Sequence, residues 1–428
     1  MVITLIIFIV ILSVLIFVHE FGHYITAIRF GIRVEEFGLG FPPRIFGWQI
    51  RKQKKLEKIA EQEEITVSLE GDASSGLVKE VITDTTREID EVKTEKKWRW
   101  IWGNKEVGEG EPTVYSLNWI PIGGFVKIKG ENGEEVESED SFSHKTISRR
   151  VAVLAAGVIM NLLLCIVLLI VGFSIGMPSS LDNNTGGQVI GEAKIQVMEL
   201  VEGMPAKEAG IKPGDVILAV DNQQINTISQ LQNYLAGKKD QTVAVKLSRG
   251  SEELNKDVIV KAYRGTTGIG VSLAQTGLVR YPWYLAIWQG IKTTFLWLAL
   301  IVVTLALLLK NLIFGLPSGV ELAGPVGIAV LTGDAAKLGW IYLLQFAALL
   351  SVNLAFVNIL PIPALDGGRI LFLIIEKVRG KAIKQKWENL AHNIGFILLM
   401  ILIVLITYRD VLRYGGRILS ALKGLVGM

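Results

Sequence analysis

Half of the 428 residues are hydrophobic yet 20% are charged, a balance that fits neither an ordinary soluble globule nor a bare bundle of helices in lipid. A net charge of +3 supplies no basic field for nucleic acid, and no nucleic-acid partner is expected. The single cysteine, Cys165, falls in an apolar run, which excludes an intrachain disulfide and a cysteine-built zinc site.

Residues 2–18 are almost unbroken Ile, Leu, Val and Phe, and they lead directly into His19-Glu20-Phe21-Gly22-His23. The segment lacks the basic start and small-residue cleavage site of a signal peptide, so it reads as a retained transmembrane helix. Two imidazoles and a carboxylate left unpaired there would cost several kcal/mol. On a helix, His19 and His23 lie one turn apart on one face, where both rings reach one metal ion. Glu20 sits beside them and can take a proton from water. A pair of interfacial histidines with a snorkelling glutamate is the plain alternative. The spacing and setting favour a zinc peptidase whose site lies in the membrane.

Apolar stretches of spanning length, roughly 20 residues, occur at 1–29, 151–177, 338–364 and 393–411, with a fifth candidate near 283–314. The expected fold is a polytopic α-helical membrane protein of about four transmembrane helices, with a membrane-associated β-hairpin and an inserted extracytoplasmic domain. Residues 1–50 carry the first helix and the segment after it. Residues 51–113 are rich in mixed charge and read as a water-exposed insertion, with a loop at the glycine-containing stretch 71–76. The basic start Arg51-Lys52-Gln53-Lys54-Lys55 places this insertion on the cytoplasmic side. Lys145, Arg149 and Arg150, just before the second helix at 151–177, point to the same side.

Residues 114–130 read as two short strands around Pro121-Ile122-Gly123-Gly124, with strand-like alternation in Phe125-Val126-Lys127-Ile128-Lys129. Two readings stay open: an amphipathic hairpin on the protein surface, or a strand that dips toward the active site and offers its edge to an extended substrate.

Residues 188–275 form a module between spans. A helical turn at Pro205-Ala206-Lys207-Glu208, the turn Pro213-Gly214-Asp215 and the strand Val216-Ile217-Leu218-Ala219-Val220 follow one another. This order resembles a bacterial PDZ domain in its permuted form. The resemblance implies binding of extended peptides or C-terminal peptide ligands by strand addition, with Gly268-Ile269-Gly270-Val271 as the carboxylate-binding loop. A PDZ fold used only as a steric filter is the other reading.

Residues 283–330 hold Lys292, Lys310 and three tryptophans in the first part, with Pro317 after it, and read as an interfacial or re-entrant helical region. The third transmembrane helix and its sequel, 338–376, contain Asn358-Ile359-Leu360-Pro361-Ile362-Pro363-Ala364-Leu365-Asp366-Gly367-Gly368-Arg369. The prolines break helical bonding and the glycines allow close backbone approach. A catalytic zinc site needs a third protein ligand, and Asp366 is the best candidate, with a helix cap as the plain alternative. Residues 393–428 supply the fourth helix and a tail whose Arg409, Arg413, Arg417 and Lys423 read as an amphipathic helix on anionic lipid. His392 reads as an interface residue.

With both motifs and the module between them, the chain resembles the site-2 protease family of intramembrane metalloproteases, closest in layout to the bacterial regulator-of-sigma-E type. The insertion at 51–113 is longer than that group leads one to expect. The resemblance implies zinc held by His19, His23 and Asp366, with Glu20 as general base. It implies substrate contacts from Asn358 and Asn353, from the hairpin residues Gly123, Gly124, Phe125 and Val126, and from the motif prolines Pro361 and Pro363. Substrates would be single-span membrane proteins already shortened by another protease, such as anti-sigma factors, or signal-peptide remnants, in a bacterial plasma (inner) membrane. Gly324-Pro325-Val326-Gly327 also resembles a family segment, without an evident chemical role. Two rivals compete: a non-proteolytic PDZ membrane adaptor, which has no use for Glu20, and a metal transporter, which would need ionisable ligands along the other spans.

Overall fold

The computed structural model describes residues 2–71, 78–104, 111–133, 137–181, 186–201, 203–250, 252–263, 266–316 and 323–426, with backbone alone for 2, 51–71, 78–96, 122, 263, 266 and 417–426. The loop expected at 71–76 lies almost wholly outside the described residues, as do the side chains of Arg51 to Lys55, Arg417 and Lys423.

The first apolar run forms α1 (Val2–Arg29), and the chain turns at Gly31 into β1 (Val34–Gly71). β1 pairs antiparallel with β2 (Val78–Trp102) from Phe46 opposite Trp102 to Gly71 opposite Val78. The charged insertion is therefore a long two-stranded ribbon, and its first strand begins well before residue 51. β3 (Val114–Ile128) corrects the expected hairpin. Its two halves do not pair with each other. Glu36 to Leu39 of β1 lie between them, with Val114 to Leu117 on one side and Gly124 to Lys127 on the other. The tip folds over at Gly123, whose φ of +77° suits glycine.

α2 (Ile147–Ile175) runs antiparallel to α1, since Gly22 meets the Ala156 carbonyl and His23 bonds to the Val153 carbonyl. At the far end of α2 the chain enters a sheet module. Its elements are β4 (Met177–Ser180), β5 (Gln188–Leu200), α3 (Pro205–Glu208), β6 (Val216–Val220), β7 (Gln223–Gln224), α4 (Ile228–Ala236) and β8 (Thr242–Arg249). β9 (Glu252–Ile259), β10 (Lys261–Tyr263), β11 (Thr266–Gly268) and β12 (Val271–Arg280) complete it. The main sheet has the order β4-β12-β5-β6-β8-β9, with β7 attached to β6. Aliphatic side chains fill its core, among them Leu231 under α4 and Val245 and Leu247 of β8. Asp215 is buried in the Pro-Gly-Asp turn, where Arg249 grips it through Nε and Nη2 at 2.7 and 2.8 Å. That bond raises the Arg249 pKa further and fixes the turn to β8.

After the module come α5 (Trp283–Ile313), α6 (Pro325–Leu338), α7 (Trp340–Ile359), α8 (Asp366–Arg379) and α9 (Gln385–Val426). Among the described residues, α1, α2, α5, α7 and α9 are long and apolar enough to cross a membrane, one more than the four expected. α5 is one unbroken helix, yet the chain returns to the end from which it starts. Tyr281 donates its amide to Phe173 near the end of α2, and Gly333 of α6 packs on Thr4 at the matching end of α1. α7 then runs antiparallel to α2, with Leu344 near Gly172 and Ser351 bonded to the Asn161 carbonyl. α9 is a single helix of 42 residues, so the span and the expected amphipathic tail are continuous.

Candidate metal centre and its surroundings

His19 and His23 project from one face of α1, as their spacing predicts, and are 5% and 6% exposed. α7 and the proline turn after it carry Asp366 to them across 347 residues of sequence. Asp366 Oδ2 lies 2.9 Å from His19 Nε2 and 3.4 Å from His23 Nε2, and the two Nε2 atoms are 3.2 Å apart. One ligand atom from each residue falls within 4.8 Å of the others, a cluster of the size one metal ion needs. Asp366 is also the first residue of α8, after the cap residue Leu365, so the helix-start reading and the ligand reading describe the same position.

The surroundings orient the rings. His23 Nδ1 bonds to the Val153 carbonyl at 2.8 Å, which fixes the proton on Nδ1 and leaves Nε2 as a lone-pair donor. His19 Nδ1 lies 3.3 Å from the amide of Asn161, which is fully buried, and the Asn161 Oδ1 has no partner. Exchanging the Asn161 amide oxygen and nitrogen satisfies both groups, with His19 Nδ1–H donating to Oδ1. Nε2 of His19 then also faces the shared point. Gly157 supplies the space. A Cβ there would lie 2.5 Å from His23 Nε2 and 2.7 Å from His19 Cε1. The donor set, the two ring tautomers and this cradle fit zinc. Neither Gly157 nor Asn161 is legible in the sequence, because α2 reads as a plain apolar span.

Glu20 lines a cavity of about 220 Å³ with His23 and Asp366, and Phe125 and Val126 line it too. Of the expected substrate contacts, Phe125 and Val126 are thus at the site. Gly123 and Gly124 pack against Ile16 and Phe17 of α1, and Ser13 Oγ bonds to the Pro121 carbonyl at 2.9 Å. The strand therefore does dip along α1, to a point beyond the histidines. Asn358 Nδ2 is 3.4 Å from His19 Nε2. Asn353 instead bonds back to the Leu349 carbonyl of its own helix. Pro361 is exposed and Pro363 packs under Gly395; it is Ala364 and Leu365 that reach the cavity.

Two further features escaped the sequence. His392 Nδ1 accepts the Ala364 amide at 2.9 Å, and Ala364 has a φ of +81°. His392 thus props the turn that presents Asp366. Arg369, one turn beyond Asp366, pairs with Glu131 just after β3, and both line the cavity. The pair ties the helix carrying Asp366 to the end of the strand that lines the same cavity as Glu20.

The description "Peptidase family M50" matches residues 7–58 and 103–402, skipping most of the ribbon. The chain belongs to peptidase family M50. It is 31% identical over 440 residues to a zinc metalloprotease, RasP, of Bacillus licheniformis, covering 96% of this chain and 99% of the relative. The regulator of sigma-W protease RasP of Bacillus subtilis is 30% identical over 443 residues, covering 96% and 98%. The PDZ domain of an SdrC-like protein from Listeria monocytogenes aligns with 20% of this chain and 90% of its own length, at 25% identity and a TM-score of 0.19. At this identity over nearly the whole length, the chain is a zinc metalloprotease with several membrane-capable helices.

Proposed function

We propose that His19, His23 and Asp366 hold the zinc, that Glu20 is the general acid–base, and that the substrate is a single-span membrane protein. The convergence of the three ligands from distant helices, beside a cavity lined by Glu20, carries this reading. Held by these three residues, zinc would supply a Lewis acid able to polarise a scissile carbonyl and acidify water. Glu20 takes the proton of the attacking water and delivers it to the leaving nitrogen. Asn358, whose Nδ2 lies 3.4 Å from His19 Nε2, would donate its amide to a substrate carbonyl.

A transmembrane helix satisfies its own backbone, so it must unwind before it can be cut. The unwound strand needs new partners. Gly124 to Lys127 pair with β1 on one side only, and among the described residues no strand pairs with the other edge, beside the Glu20 cavity. Strand addition there supplies those partners. The 188–275 module acts as a PDZ-type gate that admits shortened ectodomains. It joins the end of α2 opposite to the one beside β1, which supports opposite sides of a bacterial plasma (inner) membrane for the module and the ribbon. Anti-sigma factors and signal-peptide remnants are the substrate classes, in keeping with the sigma-regulating name of the Bacillus subtilis relative.

Glu20→Gln tests the mechanism, because it leaves all three ligands in place. Purified variant in nanodiscs should keep one zinc per chain and lose cleavage of a transmembrane reporter by at least ~100-fold. Cleavage near the wild-type rate would remove Glu20 from the reaction.

A further inference from the structure

The outer part of the β1–β2–β3 sheet has two unlike faces. One carries Glu36 bonded to Arg44 through Nε and Nη2 at 2.8 and 2.5 Å, and Gln49 and Arg99 bonded to Glu111. The other is aromatic. The register sets Phe46 opposite Trp102, Trp48 opposite Trp100 and Ile50 opposite Trp98, all on one face. A chain of ring contacts links them to α1: Tyr24 on Phe37 at 4.6 Å, Tyr24 on Tyr115 at 6.2 Å, Tyr115 on Trp48 at 5.9 Å and Trp48 on Trp100 at 6.2 Å. α1 covers the inner half of this face and leaves the outer half bare. Trp98, Trp100 and Trp102 are 62%, 59% and 67% exposed. At the usual size of a tryptophan they bare roughly 400 Å² between them, already as large as the greatest apolar patch on a typical soluble monomer.

Height along α1 identifies the occupant. Gly124, Leu39, Leu117 and Phe46 form one row across the sheet, and Gly124 touches Phe17 within the apolar run of α1. Trp102 ends that row. The next row contains Phe37 and Tyr115, level with Tyr24, and ends at Trp100. Trp98 lies two residues further, about 7 Å, toward the end of α1 marked by Arg29. The following pairs are basic: Arg51 opposite Lys97 and Lys52 opposite Lys96. Aromatic rows followed by basic pairs is the order in which a bilayer presents its acyl boundary and then its anionic headgroups.

We propose that the base of the ribbon is a membrane-docking surface: the aromatic face of residues 46–50 and 98–102 lies in the acyl–headgroup boundary, and the basic register positions 51, 52, 96 and 97 stand at the level of anionic headgroups. The insertion is then water-exposed only beyond this foot.

Spin labels on single cysteines at positions 98, 100 and 102, in a Cys165→Ala background, test it in the full chain. The nanodiscs contain phosphatidylcholine and phosphatidylglycerol at three to one, and retained zinc checks the fold. Collisions with oxygen should exceed those with a water-soluble nickel chelate at 102 and 100, with the ratio falling from 102 to 98. A label replacing Arg99, on the opposite face, should favour nickel. The three positions are exposed, so any one that misfolds leaves two to carry the gradient. Nickel access at all three overturns the docking surface. Protection from both reagents also overturns it, since protein then covers the face, and so does protection that appears only with bound substrate. In pure phosphatidylcholine, nickel access at 98 should rise; an unchanged value overturns the headgroup contact.

Discussion

Leu231, Val245 and Leu247 lie at the centre of the module, in a core whose buried members are all aliphatic. At similar burial among α1, α2 and α7 stand His19, His23, Asn161 and Ser351. The module is packed as water-soluble domains are, with apolar burial as the driving force and the buried carboxylate of Asp215 holding a turn. Between helices in lipid that force is absent, because the tails are as apolar as leucine. Small residues and polar contacts do the joining there: Gly22 on Ala156, Gly290 on Ile170, Ser351 to the Asn161 carbonyl, and Asp410 to the Gly327 amide at 2.7 Å. Burial of a side chain thus has a different meaning in the two regions. In the module the buried set is aliphatic; between the helices it also holds polar side chains, which make interhelical bonds or serve the site, beside apolar ones such as Leu169 and Val352.

The contrast can be broken at Gly157. Gly157→Ala adds a single methyl 2.5 Å from His23 Nε2, where helix backbone cannot move away. Cleavage should fall by ~100-fold or more, since misplacing a reacting group by an ångström costs about that much. Zinc content should fall with it while circular dichroism stays unchanged. A variant with normal zinc and normal cleavage would show that the cradle is incidental.

Asn161→Ala probes the same site one shell further out. Loss of a partner that orients a ligating imidazole typically costs ~10–100-fold in metal affinity. Competition with a zinc chelator should show that loss, and Asn161→Asp should recover most of it by accepting the His19 Nδ1–H bond. If alanine and aspartate behave alike, Asn161 only fills space.

Leu231→Ala sharpens the other side of the comparison. Emptying a fully buried leucine site in an aliphatic core should cost ~2–5 kcal/mol of module stability. Hydrogen exchange should rise in β5, β6 and β8, while zinc content stays at the wild-type value. A parallel loss of zinc would show that the two regions are one folding unit.

The local motifs were legible because they are anomalies within apolar runs: His19-Glu20-Phe21-Gly22-His23 and the proline-flanked Asp366 are too costly in hydrocarbon to be idle. The turn and strand pattern around Pro213-Gly214-Asp215 was likewise legible, since turn chemistry is local. Features that depend on a partner element were hidden. Gly157 and Asn161 look ordinary until α1 lies against them. His392 shows no sign of its bond until the Ala364 turn lies over it. Asp410 stands beside Arg409 and was lost among the tail arginines, although its carboxylate caps α6 at Gly327, inside the Gly324-Pro325-Val326-Gly327 segment whose role the sequence left open. The ribbon was masked by its charge. The alternation Trp98-Arg99-Trp100-Ile101-Trp102 is strand-like, but mixed charge over 51–113 reads first as a solvated insertion. Likewise, the interleaving of β1 between the two halves of β3 is a tertiary pairing that no local pattern announces.

Zinc K-edge absorption spectroscopy on the purified chain tests the central claim most directly. The proposed site requires one zinc per chain, with two imidazole nitrogens and one carboxylate oxygen at about 2.0–2.2 Å. His23→Ala should reduce the outer-shell imidazole scattering by half in whatever zinc remains, and Asp366→Ala should lower occupancy while leaving both imidazoles in place. Full occupancy with unchanged imidazole scattering in both variants would place the metal elsewhere in the chain and contradict the account.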